Sequence, residues 1–376
     1  MVAMGGGPEV PQQKGEKGRT HLLCVLPWPQ KVSEKIIKEI QDEFPNLELQ
    51  YVHENLEDPS QRLKIEVPEE LYKRADIIAT IKWLPPNASV IPNVELIQFF
   101  SAGSNHVTQH PIYKDSKIPL STVSGIHGPQ IAEWVIMMNL VHSHKYIYLY
   151  ELQNKKEWEG ITGRAVRDKV GQRVGILGYG SIGRQVARVA QAMGMDVIAY
   201  TASRRPTPES KKDNGFIVPG TGDPDGSIPS KWYSGLDKPS LHEFLKQELD
   251  LLVICVPLTK DTTHLLSTDE FAVLQQSNPN GTYVSNISRG KIIDQPALIK
   301  ALETKQISGA ALDVTDPEPL PSEDPLWSAP NCLITPHISG STTVYSERAF
   351  QVLRENLRRR RDGCKLLNIV DRKRGY

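Results

Sequence analysis

The sequence predicts an α/β protein of two domains, each built on a parallel β-sheet covered by helices. The length of 376 residues is enough for about two domains with separate cores. Short apolar runs alternate with amphipathic helical patterns along the chain, as in consecutive βαβ units. A glycine-rich turn, GYGSIG at 178–183, stands between one such run and one such helix. These observations favour parallel sheets over an all-α or all-β architecture.

The first domain is predicted from its apolar runs. We expect strands over 21–26, 47–52, 75–81 and 94–100, and a helix over 31–44 that turns Ile36, Ile37, Ile40 and Phe44 inward. A long helix is expected to begin near 125–128 and to continue to about residue 153. Residues 1–20 are rich in Gly, Pro and Lys, and we expect them to form a flexible tail.

The second domain has the clearer pattern, with strands expected over 173–177, 196–201, 251–256, 282–288, 309–314 and 332–335. A helix is predicted from the glycine-rich turn to residue 193. Ser240 with Glu243, and Ser267 with Glu270, have the spacing of capping boxes that begin helices. Residues 206–239 show little periodicity and predict a long irregular segment.

The expected domain boundaries follow from the last helix. It is predicted over 342–361 and is expected to return to the first domain. The substrate domain is therefore predicted as 21–126 with 342–376, and the dinucleotide-binding domain as 127–341.

Composition narrows the class of function. Lys and Arg together number 44, as do Asp and Glu, and this zero net charge argues against a dedicated nucleic-acid binder. The run Arg358–Arg361 is expected to be the solvated end of a helix. The four cysteines lack disulfide or zinc spacing. The longest apolar stretch, 131–150, is interrupted by charged residues and is not expected to cross a membrane. We expect a cytoplasmic protein without a metal.

The glycine-rich turn predicts a dinucleotide site of the Rossmann type. Gly178 makes the tight turn, Gly180 lets a pyrophosphate approach the backbone, and Gly183 lets helix and strand pack closely. The N-terminus of the helix then presents free N–H groups to the phosphates, and we expect Ser181 and Ile182 to take part. A glycine-rich turn that binds no ligand is the alternative.

The next strand predicts which dinucleotide is bound. In NAD-binding domains it ends in an acidic residue that binds the ribose 2′-hydroxyl. Here that position, 18 residues after Gly183, falls at Thr201, and Ser203, Arg204 and Arg205 follow it. This pattern favours NADPH, with the two arginines and Ser203 at the 2′-phosphate, while NAD stays possible. The alternative is that both arginines are solvated loop charges.

Three residues that follow predicted strands carry groups that can bind an anion and transfer a proton. Arg289 in SRG has a planar fork of donors that binds carboxylate and carbonyl oxygens. His337 in TPH titrates near neutral pH and suits a proton donor. Glu318 in DPEP is the natural partner of His337, because a carboxylate favours the protonated ring. Taken singly, each residue has a structural alternative.

Four segments together resemble the D-isomer-specific 2-hydroxyacid dehydrogenase family: VGILGYGSIGR, SNISRGKIID (285–294), GAALDVTDPEP (309–319) and LITPHISGST (333–342). The resemblance covers about residues 75–376. It implies flavodoxin-like and Rossmann-like domains with an active-site cleft between them. It also implies hydride exchange between a nicotinamide cofactor and a 2-oxo or D-2-hydroxy acid, with catalytic roles for Arg289, Glu318 and His337.

Further positions follow from the resemblance. Ser101, Ala102 and Gly103 would offer backbone N–H groups to the substrate carboxylate, and Asp313 would bind the nicotinamide carboxamide. Pro257 is also expected at the cofactor site. The family further implies a homodimer, formed through the helix from Gly128 and through residues 154–168, with Trp158 reaching toward the partner.

Two questions stay open at this stage. Some relatives, the C-terminal-binding-protein corepressors, use the same fold as a dinucleotide-responsive protein scaffold. The short segment after the last predicted helix favours an enzyme over that alternative. The acid is also open: glyoxylate and hydroxypyruvate are familiar small substrates of the family, and larger 2-oxo acids are equally compatible with the sequence.

Overall fold

The computed structural model describes residues 18–53, 65–159 and 166–373. The predicted flexible tail spans residues 1–20, and residues 1–17 of it lie outside the described part of the chain. The strands are β1 (Thr20–Leu26), β2 (Leu47–His53), β3 (Ile77–Thr80), β4 (Leu96–Phe99), β5 (Leu120–Ser121), β6 (Arg173–Leu177), β7 (Asp196–Thr201), β8 (Lys231–Ser234), β9 (Leu251–Ile254), β10 (Tyr283–Asn286), β11 (Gly309–Leu312) and β12 (Cys332–Ile334). The α-helices are α1 (Glu34–Glu43), α2 (Glu69–Arg74), α3 (Pro111–Asp115), α4 (Gly128–Ser143), α5 (Tyr146–Lys155), α6 (Ser181–Ala192), α7 (Pro208–Lys211), α8 (Lys238–Leu245), α9 (Thr268–Ser277), α10 (Gln295–Glu303) and α11 (Tyr345–Arg361).

The described residues form two compact units, unit 1 (18–126 and 343–373) and unit 2 (127–342). The sheet of unit 1 has the order β2-β1-β3-β4-β5, and all of its strands are parallel. This is the flavodoxin-like strand order. Every residue of β3 and β4 is buried, as expected for strands covered by helices on both faces.

Helix α11 completes unit 1 through a buried polar network. Asn356, which is fully buried, donates to Gln98 Oε1 of β4 at 2.8 Å and to Ser121 Oγ of β5 at 3.0 Å. Its own Oδ1 accepts from the backbone N–H of Leu367 at 2.7 Å. The C-terminal helix therefore packs in unit 1. Hydrogen bonds pair the buried polar atoms named above.

The sheet of unit 2 has the order β12-β11-β10-β9-β6-β7-β8, again with all strands parallel. From β6 the chain adds strands in one direction as far as β8, and it then returns to the other side of β6 to place β9. The strand order therefore reverses between β6 and β9. In open α/β sheets, ligands bind at the carboxyl ends of the strands at such a reversal. The predicted fold class of two parallel-sheet α/β units is confirmed.

The single long helix expected over about 128–153 is wrong. Helix α4 ends at Ser143, and α5 begins at Tyr146. Between them Lys145 has φ 55°, in the left-handed region, and a residue in that conformation interrupts a right-handed helix. The apolar side chains continue across the break, so their periodicity gave no sign of it.

One of the two predicted capping boxes is confirmed. Ser267 precedes α9, and its backbone N–H donates to Glu270 Oε2 at 3.0 Å. The other is wrong, because α8 begins before Ser240. Asp237 caps that helix by accepting from the backbone N–H of Ser240 at 2.8 Å. An aspartate at the N-cap satisfies the same free donors that the serine was expected to satisfy.

The segment 206–239, expected to be irregular, contains the short helix α7 and the edge strand β8, which pairs with β7. The arginine run at the end of α11 is ion-paired: Arg358 contacts Glu43, Arg360 contacts Glu95 at 2.5 Å, and Arg359 contacts Glu355 at 2.8 Å. Over the described ranges, no helix combines the length and the apolar character needed to cross a membrane.

Candidate active site

The three glycines of the turn after β6 have different surroundings. Gly178 has φ +104°, and a Cβ there would lie 2.8 Å from the backbone carbonyl carbon of Cys255, at the end of β9. A Cβ on Gly183 would lie 2.4 Å from the carbonyl oxygen of Gly178. A Cβ on Gly180 would meet nothing within 4 Å. The first and third glycines are therefore required by close backbone packing, and the second keeps the backbone open to a ligand.

The open glycine stands at the N-terminus of α6. Gly180 is the N-cap, and Ser181 and Ile182 form the first turn, where backbone N–H groups lack partners within the helix. These donors and the positive end of the helix dipole favour a bound anion. The turn lies beside the reversal between β6 and β9, because Gly178 packs against Cys255. The residues present therefore fit the pyrophosphate of a dinucleotide.

A second set of contacts connects this turn to the segment before β8. Tyr179, which is 5% exposed, donates its hydroxyl to Asp223 Oδ2 at 2.7 Å. Burial and the adjacent Asp223 carboxylate raise the pKa of Tyr179, so the phenol stays a donor. Arg184, directly after the third glycine, donates to the carbonyl oxygens of Asp223 and Lys211 at 2.5 and 2.6 Å.

At the end of β7 a threonine occupies the position expected for a ribose-binding acid. Thr201 Oγ1 donates to the carbonyl oxygen of Ser203 at 2.8 Å and turns the strand into the following loop. Arg204 and Arg205 are both exposed in that loop. Arg205 Nη1 donates to the carbonyl oxygen of Ser210 at 2.7 Å, which fixes one edge of its guanidinium.

Arg289 follows β10 in a half-buried position. Its Nη1 donates to the carbonyl oxygen of Ser288 at 2.7 Å. Burial lowers the pKa of Arg289, and the Glu318 carboxylate opposes that shift. The next residue, Gly290, allows a close approach, because a Cβ there would lie 2.0 Å from the carbonyl oxygen of Thr315. The backbone of the loop that carries Glu318 therefore passes directly against Gly290.

His337 and Glu318 form a hydrogen-bonded pair. His337 Nδ1 lies 3.0 Å from Glu318 Oε2, and the two side chains are 48% and 38% exposed. The other oxygen of Glu318 accepts from the backbone N–H of Thr315 at 3.2 Å. Glu318 therefore contacts His337 and acts electrostatically on Arg289, so the three candidate catalytic residues belong to one cluster.

Asp313, at the end of β11, organises the loop that carries His337. Its carboxylate is 1% exposed and accepts four hydrogen bonds. Oδ1 accepts from Thr335 Oγ1 at 2.6 Å and from the N–H of Ile338 at 2.8 Å. Oδ2 accepts from the N–H of Ser339 at 2.9 Å and from its hydroxyl. The expected bond to a nicotinamide carboxamide stays a prediction, whereas these contacts hold the backbone on both sides of His337.

The candidate substrate loop lies in unit 1. Ser101, Ala102 and Gly103 follow β4, and Ser101 Oγ donates to the carbonyl oxygen of Gly103 at 2.8 Å. His106 Nε2 lies 2.7 Å from the carbonyl oxygen of Ile81, which connects this loop to the one after β3.

The remaining site predictions concern Pro257 and a metal ion. Pro257 is exposed after β9 in unit 2, and its carbonyl oxygen accepts from Thr262 at 2.7 Å. Among the residues that the structure describes, no group of three or more His, Cys, Asp or Glu residues is arranged to hold a metal ion.

Comparison with protein-family models identifies the group to which the chain belongs. The model of the D-isomer specific 2-hydroxyacid dehydrogenase, NAD binding domain, matches residues 136–218 and 227–339, which is more than half of the chain. The chain belongs to this family.

Individual D-2-hydroxyacid dehydrogenases agree with the family assignment. The chain is 27% identical over 299 residues to a hydroxypyruvate reductase of Blautia hydrogenotrophica, covering 77% of this chain and 84% of that protein. It is 28% identical over 301 residues to a glyoxylate/hydroxypyruvate reductase A of Salmonella newport, covering 78% and 86%.

Solved structures of the family are also similar. The NADPH-dependent glyoxylate/hydroxypyruvate reductase of Sinorhizobium meliloti, in complex with NADP and sulfate, has a TM-score of 0.70 and 25% identity, covering 95% of this chain and 100% of that chain. A D-isomer specific 2-hydroxyacid dehydrogenase of Xanthobacter autotrophicus, in complex with NADPH and MES, has a TM-score of 0.69 and 25% identity, covering 94% and 99%.

The family model does not match residues 219–226, which include Asp223. Sequence reasoning also missed the contacts that Tyr179 and Arg184 make with Asp223. Tyr179 and Arg184 stand inside and beside the glycine motif, but their partner lies about forty residues later in a segment without periodicity. A buried aspartate in such a segment has no sequence signature.

We expect Asp313→Asn to destabilise unit 2 of this dehydrogenase. In the variant, the amide NH₂ group faces N–H and O–H donors that otherwise bond to a carboxylate oxygen. A buried donor without an acceptor typically costs about 1–3 kcal/mol of stability. Thermal and urea unfolding measure the loss. Asp261→Asn, at an exposed position in the same unit, is the control and should leave stability unchanged. Equal stability of Asp313→Asn and the unmodified protein would contradict the role given to the buried carboxylate.

Proposed function

We propose that the protein reduces a 2-oxo acid to a D-2-hydroxy acid, reversibly, with NADPH as its preferred cofactor. The observation that carries the proposal is the pair of His337 Nδ1 and Glu318 Oε2, which lie 3.0 Å apart. The same carboxylate also acts electrostatically on the Arg289 guanidinium. A general acid and a fixed cation are the two groups that reduction of a 2-oxo acid requires of the protein. Their occurrence beside a dinucleotide turn supports an oxidoreductase.

Arg289 binds and orients the substrate in this proposal. Its Nη1 already donates to the carbonyl oxygen of Ser288, and that bond fixes the plane of the guanidinium. The remaining N–H groups form a fork that suits the carboxylate and carbonyl oxygens of a 2-oxo acid. The positive charge also stabilises the negative charge that develops on the carbonyl oxygen. Backbone N–H groups of Ser101, Ala102 and Gly103 are proposed to bind the substrate carboxylate.

His337 supplies the proton. Because Nδ1 is bonded to Glu318, Nε2 is the ring nitrogen that is left to face the substrate. The hydrogen bond to the carboxylate fixes the orientation of the ring. When bound, a reduced nicotinamide supplies the hydride. Nε2 gives its proton to the carbonyl oxygen during reduction and accepts it back when the hydroxy acid is oxidised.

The proposed substrate is a small 2-oxo acid. The Blautia and Salmonella relatives are named for hydroxypyruvate and glyoxylate, which are compact members of that class. The scaffold alternative is not favoured, because the relatives are named as reductases. A panel of 2-oxo acids, assayed with NADPH, separates an enzyme from a scaffold and small substrates from larger branched or aromatic ones. The expected cytoplasmic location stays a prediction.

Four residues at and after the end of β7 support the preference for NADPH. Thr201 does not repel a 2′-phosphate as an acidic residue would, and exposed Arg204 and Arg205 follow within four residues. Ser203 is proposed to assist them. The Sinorhizobium and Xanthobacter structures contain NADP and NADPH, respectively, which is consistent with this proposal.

A homodimer is proposed through α5 and the segment after it. Helix α5 exposes apolar side chains, including Tyr146 at 54%, Ile147 at 48% and Tyr150 at 47%. Trp158 is fully exposed. Contiguous apolar surface of this kind is typical of protein–protein contacts. Part of the segment expected to dimerise, residues 160–165, lies outside the described residues.

His337→Asn is expected to lower kcat far more than it weakens substrate binding, because the general acid is lost. Such loss typically costs about 10²–10⁴-fold. Asparagine is preferred to alanine here because His337 has φ 54°, a conformation that asparagine tolerates. The control is His264→Asn, at another histidine with positive φ (49°).

Steady-state and single-turnover rates measure these effects. In Glu318→Gln, kcat should fall more than substrate binding weakens, because the ring loses the carboxylate that orients it. Wild-type kcat in His337→Asn, with chemistry shown to limit the rate, would exclude His337 as the acid.

Arg204→Ala/Arg205→Ala is expected to reduce the ratio of kcat/KM for NADPH to that for NADH. A charge-assisted hydrogen bond contributes about 1.5–3 kcal/mol, or roughly ten- to a hundred-fold in affinity. The rate with NADH should change little. A wild-type enzyme that prefers NADH, or a double variant that keeps its preference for NADPH, would contradict the proposed phosphate site.

Light scattering at micromolar concentration is expected to give the mass of two chains, about twice 42.0 kDa. Ile147→Glu places a charge in the proposed interface and should give the mass of one chain. Leu236→Glu is the control, because Leu236 is also an exposed apolar residue (68%) but lies outside α5. A monomer in the unmodified protein excludes the dimer.

A further inference from the structure

The segment over 206–230, which we call the insertion, is anchored on the glycine-rich turn. Asp223 is 3% exposed, and its Oδ2 accepts from the Tyr179 hydroxyl at 2.7 Å and from the N–H of Ile228 at 3.1 Å. Gln185 Oε1, in the first turns of α6, accepts from the N–H of Gly222 at 2.6 Å. The insertion therefore contacts the turn and the helix that follows it through buried or half-buried hydrogen bonds.

Each guanidinium nitrogen of Arg184 lies near an oxygen atom of the insertion. It is 5% exposed, and its Nη1 and Nη2 donate to the carbonyl oxygens of Asp223 and Lys211. Its Nε lies 3.6 Å from Asp213 Oδ2. The guanidinium also stacks on the Tyr179 ring, 5.0 Å from its centroid. Arg184 stands directly after the glycine motif, yet its charge is directed into the insertion and away from the phosphate-binding face.

The same contacts reach the loop that carries Arg205. Lys211, whose carbonyl oxygen Arg184 binds, is the last residue of α7. Ser210, the residue before it, accepts from Arg205 Nη1 at 2.7 Å. The start of α7 is closed by a capping box between Thr207 and Ser210. Arg184 and Arg205 therefore bind carbonyl groups of neighbouring residues in one short, capped helix.

A helix of four residues needs external contacts to persist. Removing Arg184 from this arrangement takes away the hydrogen bond on Lys211 and leaves Asp213 without its cation. The helix α7, whose Ser210 carbonyl group fixes Arg205, then loses a contact that holds it in place. Rotational freedom of a guanidinium reduces the advantage of its pre-organised fork.

We propose that Arg184 is a positioning residue that sets the selectivity of the cofactor site, by holding α7 so that Arg205 faces the 2′-phosphate. Asp223 and Tyr179 anchor the insertion on the opposite side of Arg184. The inference rests on the proposed preference for NADPH. Residues 219–226, which include the anchor at Asp223, lie outside the match to the family model.

The test measures recognition of the 2′-phosphate by binding, independently of turnover. The probes are 2′,5′-ADP and 5′-AMP, which differ at the 2′-phosphate, and their dissociation constants are measured by calorimetry. The variants are Arg184→Gln, Arg205→Ala and the two combined. Arg173→Gln is the matched control, because Arg173 also pairs with an aspartate (Asp196, 2.7 Å) and a carbonyl group but lies at the amino end of β6.

In Arg184→Gln, the affinity ratio of 2′,5′-ADP to 5′-AMP should fall about tenfold, the lower end of what one charge-assisted hydrogen bond contributes. The combined variant should fall no further than Arg205→Ala alone, since residues that act through one another are not additive. Arg173→Gln should keep the wild-type ratio. Tyr179→Phe, which removes one hydroxyl, should shift the ratio in the same direction and serves if Arg184→Gln does not fold.

Three results would overturn the inference, and each has a different meaning. A folded Arg184→Gln or Tyr179→Phe protein with the wild-type ratio would exclude positioning, while the preference for NADPH would stand if Arg205→Ala still lost the ratio. A further fall in the combined variant would show that Arg184 acts independently of Arg205. A wild-type ratio near one would contradict the proposed cofactor preference itself.

Discussion

The buried carboxylate of Asp313 is the constraint on which the catalytic cluster depends. Its oxygens accept from the residues before and after His337, and the carbonyl of Asp313 also accepts from the N–H of His337 at 2.9 Å. A histidine with positive φ needs such support, because the left-handed conformation is unfavourable for most side chains. The strand β11 thereby fixes the backbone that presents the imidazole to Glu318. The His337 side chain is 48% exposed, whereas the Asp313 carboxylate that holds its backbone is buried.

The glycine-rich turn shows how much of the fold was predictable from the sequence. Its strand–turn–helix context predicted the parallel sheet, and the three glycines have the surroundings that their positions imply. Local signals failed where tertiary contacts decide. The break at Lys145 interrupts a continuous apolar pattern. Helix α8 is capped by Asp237, although Ser240 had the spacing expected of a helix start. Both errors concern where a helix begins or ends, which neighbouring residues on the chain do not fix.

The candidate site divides in the same way. Arg289, Glu318 and His337 each follow a strand, and parallel strands bring their carboxyl ends to one edge, so their clustering was predictable from the sequence. Their fine geometry was not, since it depends on the close approach of Gly290 to Thr315. The contacts of Asp223 were also beyond sequence reasoning, because they join segments that no shared periodicity relates. The residues proposed to do chemistry have sequence signatures, whereas the residues that support them do not.

The polar network around Asn356 has a consequence for the order in which the chain can fold as it is synthesised. Gln98 and Ser121 are buried in β4 and β5, but their partner lies 258 and 235 residues later, in α11. The ribosome therefore completes unit 2 before the last helix of unit 1 exists. Until then, the amide oxygen of Gln98 must remain hydrated or find another donor, because an unpaired polar group in a closed core is costly. Unit 1, although its strands are made before unit 2, can reach its native core only after unit 2 and α11 have been made.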